Sequence, residues 1–268
     1  MVNLMFKFLN FKSKKRRGFT IAEVLLALAV IGVVAAITIP SAIKNTRKQI
    51  IETKLAVTVS ILNQALRGAE LKYGGMSIWD LTGYQVNDFD SDNYDISDAG
   101  ASFVNKYLAP NLKTINNGSS SSTLRSLGYK TPWKSPNGQT VFNLDKKVYP
   151  IILSNGTVIV HYGAKYVETN DPTKQHVKSI FLFVDLDGPG GDNTTGRDLF
   201  AFMIPFKSGL SIGTVAEYGK MENGKFVAES DEQQIEDKCK DGTIVGSFYC
   251  AYLIKKNAWK VPKNYPWL

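Results

Sequence analysis

The sequence predicts an α+β fold: one long N-terminal helix packed on an antiparallel β-sheet. Three observations carry that prediction. Residues 19–39 are apolar apart from Glu23, Thr20 and Thr38. Beyond them Leu55, Val59, Leu62, Leu66, Ala69 and Tyr73 follow one another at steps of 4, 3, 4, 3 and 4, the spacing that puts one apolar stripe on a helix. From residue 149 onward the pattern changes to short β-branched and aromatic segments separated by Gly-rich turns, which reads as strands.

Composition sets the outer bounds. The chain has 268 residues, 44% hydrophobic and 21% charged, the profile of a folded protein rather than of a disordered tail, a collagen-like repeat or a disulfide scaffold. Its net charge of +8 would suggest a nucleic-acid partner. The distribution of that charge argues otherwise. Lys7, Lys12, Lys14, Lys15, Arg16 and Arg17 precede Gly18 with no acid among them, which leaves 26 basic and 24 acidic residues in the remainder. Residues 75–268 hold 20 basic and 21 acidic residues, so no general polyanion-binding surface is indicated.

The first element follows from length and polarity. At 1.5 Å per residue, the 21 residues 19–39 span about 31 Å as a helix, the thickness of a bilayer's hydrocarbon core. Six cations lie before this run, against Lys44, Arg47 and Lys48 just after it, so the positive-inside rule keeps the N-terminus in the cytoplasm and exports the rest. A cleaved secretory signal has a shorter apolar core, about 7 to 15 residues. Glu23 stands out because a carboxylate in a membrane helix is unfavourable by about 2.5 to 3.5 kcal/mol and usually marks a function. No cation lies within the span. A cut after Gly18 would place a new ammonium on Phe19, about one helical turn from Glu23.

Gly18-Phe19-Thr20-Ile21-Ala22-Glu23, behind a basic leader and ahead of an apolar helix with Gly32 and Pro40, resembles the processing and methylation signature of type IV prepilins. The resemblance implies cleavage between Gly18 and Phe19 by a prepilin peptidase, N-methylation of Phe19, and membership of the type IV pilins and type II secretion pseudopilins. It also implies the pilin-like architecture of a long helix on a sheet-bearing head, with Glu23, Gly32 and Pro40 serving assembly.

The chain then divides into a leader, residues 1–18, removed on processing; a long helix, residues 19–74, with a transmembrane part at 19–39 and an amphipathic stem at 40–74; and an extracytoplasmic head, residues 75–268. Residues 19–73 read as one helix, kinked by Pro40 and stopped by Gly74-Gly75. In the head, residues 75–138 read as loops with one helix around 102–108. Residues 149–153 and 158–162 read as a hairpin turning on Asn155-Gly156, and further strands are expected at 179–185, 199–205, 211–217 and 225–228. Cys239 and Cys250 lie on the exported side, where a disulfide forms readily; two buried free thiols are the other reading, and a metal site lacks further ligands at suitable spacing. Pilins often carry such a C-terminal disulfide loop.

Candidate chemistry is sparse. Asp185, Asp187, Asp192, Asn193 and Asp198 sit among glycines between two expected strands, an arrangement of hard oxygen ligands that suits Ca2+ without the EF-hand order. The same residues also serve turn geometry alone. The segment resembles a strand-loop-strand of pilin-like secretion proteins, some of which hold calcium in a head loop. Gly209-Leu210-Ser211-Ile212-Gly213 fits the G-x-S-x-G elbow, but a strand-like segment follows it and no histidine lies downstream, so the context of a hydrolase fails. His161 and His176 are too few and too scattered for a metal site.

The expected function is therefore structural rather than enzymatic: a subunit of a type IV pilus or a type II secretion pseudopilus, requiring no cofactor beyond an optional Ca2+. Its expected partners are the prepilin peptidase, other pilin or pseudopilin subunits, an inner-membrane assembly platform, and lipid before assembly. Its expected place is the inner membrane, and then a periplasmic or cell-surface filament. The other readings are a minor pilin or membrane-anchored adhesive module at a filament tip, which the head would distinguish, and, more distantly, a tethered hydrolase acting through Ser211.

Overall fold

The structure is a computed structural model that describes residues 18–75, 79, 103–117, 121–166, 177–205, 219–222 and 225–268. It divides into two compact units, residues 1–46 and 47–268, each taken here by itself. Helix α1, Ile21–Tyr73, contributes to both. It begins two residues later than the expected 19 because Thr20 caps it, and it continues through Pro40. At its end Gly74 adopts φ of +80° and its N–H donates to the Glu70 carbonyl at 2.9 Å, the left-handed cap that glycine adopts without a Cβ penalty.

In the larger unit the sheet is antiparallel throughout. Its five strands run in the order β1 (Thr114–Asn117), β6 (Pro150–Leu153), β7 (Val158–Tyr166), β8 (Val177–Asp185) and β9 (Leu199–Pro205). Three two-stranded ladders complete the described strands: β2 (Ser122–Thr123) with β5 (Lys147–Val148), β3 (Trp133–Lys134) with β4 (Thr140–Phe142), and β10 (Gly219–Glu222) with β11 (Lys225–Ala228). The hairpin expected at Asn155-Gly156 joins β6 to β7. Gly156 has φ of +85°, and Asn155 Oδ1 accepts from the Thr157 N–H at 3.1 Å. The α+β class and the long helix are as the sequence predicts; the strand expected at 211–217 lies outside the described residues.

Because side chains alternate along a strand, the sheet has two apolar faces, and both are buried. Leu182 and Val184 of β8, with Phe200, Phe202 and Ile204 of β9, share one core with the stem stripe Ile51, Leu55, Val59, Leu62, Leu66 and Ala69. Phe181, Phe183, Leu199, Ala201 and Met203 point the other way, into a second core with Trp133, Phe142 and Phe248. Phe183 lies edge-on to Phe142 at 5.9 Å and near Phe248 at 5.8 Å, so this second layer is largely aromatic. Full burial of each large apolar side chain stabilises by about 1.5–3 kcal/mol. Preceding the sheet, a helical turn at Val104–Leu108 falls where a helix is expected around 102–108, and a 3-10 turn at Ala109–Asn111 follows it.

Two C-terminal helices were not expected. Helix α2, Glu232–Lys240, is capped by Asp231, whose side chain accepts from the Gln233 and Gln234 N–H groups. Helix α3, Ile244–Lys256, is capped by Thr243, which accepts from the Gly246 N–H at 2.9 Å. A Cβ on Gly246 would collide with Asp241 Oδ1 and the Lys238 carbonyl, so glycine permits the tight corner between the helices. A disulfide joins Cys239 of α2 to Cys250 of α3. After α3 the chain turns through two left-handed residues, Ala258 and Trp259, and returns to the stem.

There the buried Glu52 carboxylate accepts from Lys260 Nζ at 3.0 Å and from the Val261 N–H at 2.9 Å. Burial opposes its charge, but the Lys260 ammonium and the Val261 N–H outweigh that opposition, and its pKa falls below the usual carboxylate value. A lowered pKa means that the clasp stabilises the fold above about pH 4.5 and that its contribution is lost as pH falls through the folded-state value. Replacing Glu52 by Gln should cost about 1.5–3 kcal/mol at neutral pH. Chemical denaturation of both proteins should show the gap closing as the pH is lowered below about 4.

Candidate assembly segment and acidic loop

In the smaller unit, the start of α1 is organised by a reciprocal pair. The Thr20 N–H and Thr20 Oγ1 both donate to Glu23 Oε2, at 2.8 and 2.9 Å, and the Glu23 N–H donates to Thr20 Oγ1 at 3.2 Å. This is a capping box, which satisfies donors that the first helical turn leaves open. The sequence reading left Glu23 waiting for an ammonium; within its own chain it already has two hydrogen bonds. The Thr-x-x-Glu spacing was the signal for it. Phe19 is 87% exposed, and Cβ atoms built on Gly18 or Gly32 would meet nothing within 4 Å. Among the described residues α1 is the one helix long and apolar enough to cross a membrane, and the apolar part of it is exposed.

In the larger unit, the polar residues gather in the loop after β8. Asp185 ends the strand and is buried. Its Oδ1 accepts from the N–H groups of Asp187 and Gly188, at 3.2 and 3.0 Å, and its Oδ2 accepts from the Tyr129 hydroxyl at 2.5 Å. Asp198 begins the return to β9, and its two oxygens accept from the Asn193 and Thr194 N–H groups at 2.7 and 2.9 Å. Carboxylate oxygens of Asp185, Asp187 and Asp198 all lie within 4.8 Å of one another.

Of the five expected ligands, three carboxylates lie together, while the Asp192 and Asn193 side chains also have partners of their own. Asp192 turns to Arg47 on the stem, 3.2 Å away, and to Arg197 at 3.7 Å. The Asn193 amide donates to Thr131 Oγ1 at 2.9 Å. Separation of 145 residues between Arg47 and Asp192 is why no local spacing revealed that pair. Tyr129 was missed for the same reason.

The electrostatics of the three carboxylates are unfavourable to three negative charges. Burial first, and then the neighbouring Asp198 and Asp187 against the relief from Tyr129, push Asp185 up to about 8. Burial likewise raises Asp198, although the Thr194 and Asn193 N–H groups resist the shift. Two like charges about 4 Å apart repel by about 4 kcal/mol at an effective dielectric of about 20, a repulsion that a nearby cation would relieve. Hard cations such as Ca2+ take oxygens at about 2.3–2.6 Å, which allows ligands up to about 5 Å apart. Gly191 leaves the necessary room: a Cβ there would collide with Asp198 Oδ2 and Asp187 Oδ1. The three carboxylates are therefore spaced to suit such an ion.

Residues 41–268 match the family model described as Family of unknown function (DUF6613). The chain belongs to that family. Residues 13–39 match a second model, Prokaryotic N-terminal methylation motif, so the DUF6613 region is carried behind a type IV pilin-like signature and the chain is a pilin or pseudopilin-type precursor. No curated protein and no solved structure matches it.

The remaining candidates of the sequence stay outside this picture. Ser211 and its flanking glycines, and His176, lie outside the described residues. His161 is buried in the DUF6613 core against Phe103, and burial pushes its pKa down to about 3, which keeps it neutral. Substituting Gly191 by Ala should force the Asp187 and Asp198 carboxylates apart and destabilise the head by about 1–3 kcal/mol, seen as a lower unfolding midpoint in differential scanning calorimetry.

Proposed function

We propose that this protein is a structural subunit of a type IV pilus or a type II secretion pseudopilus. It is inserted with its N-terminus in the cytoplasm, cut between Gly18 and Phe19 by a prepilin peptidase, methylated on Phe19 and polymerised through α1. The observation that carries this reading is the exposed apolar start of α1, with Glu23 held at its first turn, within the methylation motif. An unpartnered apolar helix is stable only in lipid or against other helices, and Ala27, Ala29, Gly32, Ala35 and Ala36 are small enough to let helices approach closely.

The cut adds the missing element. In the intact chain the nitrogen of Phe19 is a peptide nitrogen; after hydrolysis it is an ammonium about one turn from Glu23. Thr20 holds the carboxylate at that depth without neutralising it. A neighbouring subunit's Phe19 ammonium then supplies an opposite charge in low dielectric, where such a pair sets register as well as attraction. Assembly exchanges lipid contacts for helix contacts and leaves the head on the filament surface.

The acidic loop supports a second, narrower reading. Ca2+ held by Asp185, Asp187 and Asp198 would offset the mutual repulsion of these carboxylates and stiffen the connection between β8 and β9. The fit of the three oxygens over Gly191 favours it.

Three outcomes are expected. Glu23→Ala spares membrane insertion and abolishes polymers in shear and electron-microscopy assays, whereas unimpaired filaments or secretion would count against the mechanism. Mass spectrometry of the assembled protein gives an N-terminal methylated Phe19, and recovery of the intact leader in filaments would refute the processing step. Calcium chloride raises the thermal midpoint of the wild type, and Asp187→Asn reduces that rise.

A further inference from the structure

The C-terminal tail reaches the acidic loop from outside it. Lys260 and Val261 first clasp Glu52 on the stem. Four residues on, the buried Tyr265 hydroxyl donates to the Gly196 carbonyl at 2.7 Å. Trp267 Nε1 donates to the Cys239 carbonyl at 2.9 Å, in the last turn of α2 beside the disulfide. The indole lies directly against Gly196, where a Cβ would collide with the ring and where φ is +82°. Leu268 then lines a small cavity, about 140 Å3, together with Asp187, Gly191 and Asp198.

Gly196 is two residues from Asp198, within the turn whose Gly196 N–H donates to the Leu199 carbonyl at 2.8 Å. That turn presents Asp198 to the Asn193 and Thr194 N–H groups and to the other two carboxylates. Other restraints on the loop come from the stem, where Arg47 holds Asp192 and Lys54 Nζ donates to the Leu186 carbonyl at 2.6 Å, and from β3, where the Lys134 N–H donates to the Asn193 carbonyl at 3.0 Å and the Lys134 carbonyl accepts from the Thr195 N–H at 2.9 Å. The stem thus holds Leu186 and Asp192, β3 holds Asn193 and Thr195, and the tail covers Gly196.

We propose that Tyr265 and Trp267 are positioning residues for the acidic loop, setting the place of Asp198 from a strap that is itself anchored at Glu52 and at Cys239. The strap contributes no side-chain carboxylate. It fixes the backbone of the Gly196 turn, so the loop's geometry depends on residues about 70 positions away in sequence, as the Tyr265 and Gly196 pair illustrates with a separation of 69. The consequence for a hard cation rests on the narrower reading above: affinity for Ca2+ would change without any ligand being altered.

The test uses full-length protein in detergent, as wild type, Tyr265→Phe, Trp267→Phe and Leu62→Ala. The two strap variants keep an aromatic ring and lose one hydrogen bond each, and Leu62→Ala weakens the stem core without touching the strap. Amide hydrogen exchange in chelator should show the Asn193 and Thr194 N–H groups losing protection by roughly threefold to tenfold in each strap variant, beyond any change in Leu62→Ala. Unchanged protection in both strap variants, or an equal loss in Leu62→Ala, overturns the proposal. Titration of calcium chloride into the same proteins separates the two readings. Weaker binding by the strap variants than by wild type supports the link, and equal binding overturns it. A wild type that takes up no Ca2+ overturns the cation reading, and the exchange result then decides the strap alone.

Discussion

Packing of the stem stripe on the sheet is the contact from which the larger unit is organised. Leu55, Leu62 and Leu66 are essentially without solvent exposure, and the strand residues that meet them are the alternate ones of β8 and β9. An isolated sheet of this kind would leave that face wet. Once it is covered, the other face needs its own cover, and Trp133, Phe142 and Phe248 supply it. The polar residues of the stem follow from the same placement, because Arg47, Glu52 and Lys54 flank the buried stripe and so reach the loop and the tail.

These polar contacts have a common character. Each joins the stem or tail to a segment far away in sequence, and each meets a group that would otherwise be poorly satisfied: Glu52 at a returning backbone, Asp192 between two guanidinium groups, and the Gly196 carbonyl beneath Tyr265. Exposed ion pairs such as Arg47 with Asp192 contribute little individually. The buried hydrogen bonds matter more, since leaving one partner of such a bond unmet costs about 1–3 kcal/mol.

The helix and the hairpin were legible because each is written in local spacing. Steps of 3 and 4 from Leu55 to Tyr73 give the stripe, and Asn155-Gly156 gives the turn. The helix start was legible too, through Thr20 and Glu23, but the charge on Glu23 drew attention away from its capping role. Helices α2 and α3 were missed for a physical reason. Seven of the thirteen residues of α3 have large apolar or aromatic side chains (Ile244, Val245, Phe248, Tyr249, Tyr252, Leu253 and Ile254), and they fall on most of its circumference, so no clean stripe marks it. The caps, Asp231 for α2 and Thr243 for α3, were the available signals. Of the acidic loop, composition revealed the residue types but could not sort them. Asp192 gained Arg47, and Asp185 gained Tyr129, both through chain folding rather than spacing.

The capping box has a consequence for the life of the precursor. On the proposed function, a carboxylate already engaged by a hydroxyl and an amide of its own chain would make a milder demand on the surrounding lipid than a bare one, so that newly inserted subunits could be held in reserve without an immediate companion. Such a reservoir would be drawn down at the pace of recruitment into a growing polymer, and the exchange of an internal bond for an external one would make each addition reversible until its neighbours close around it.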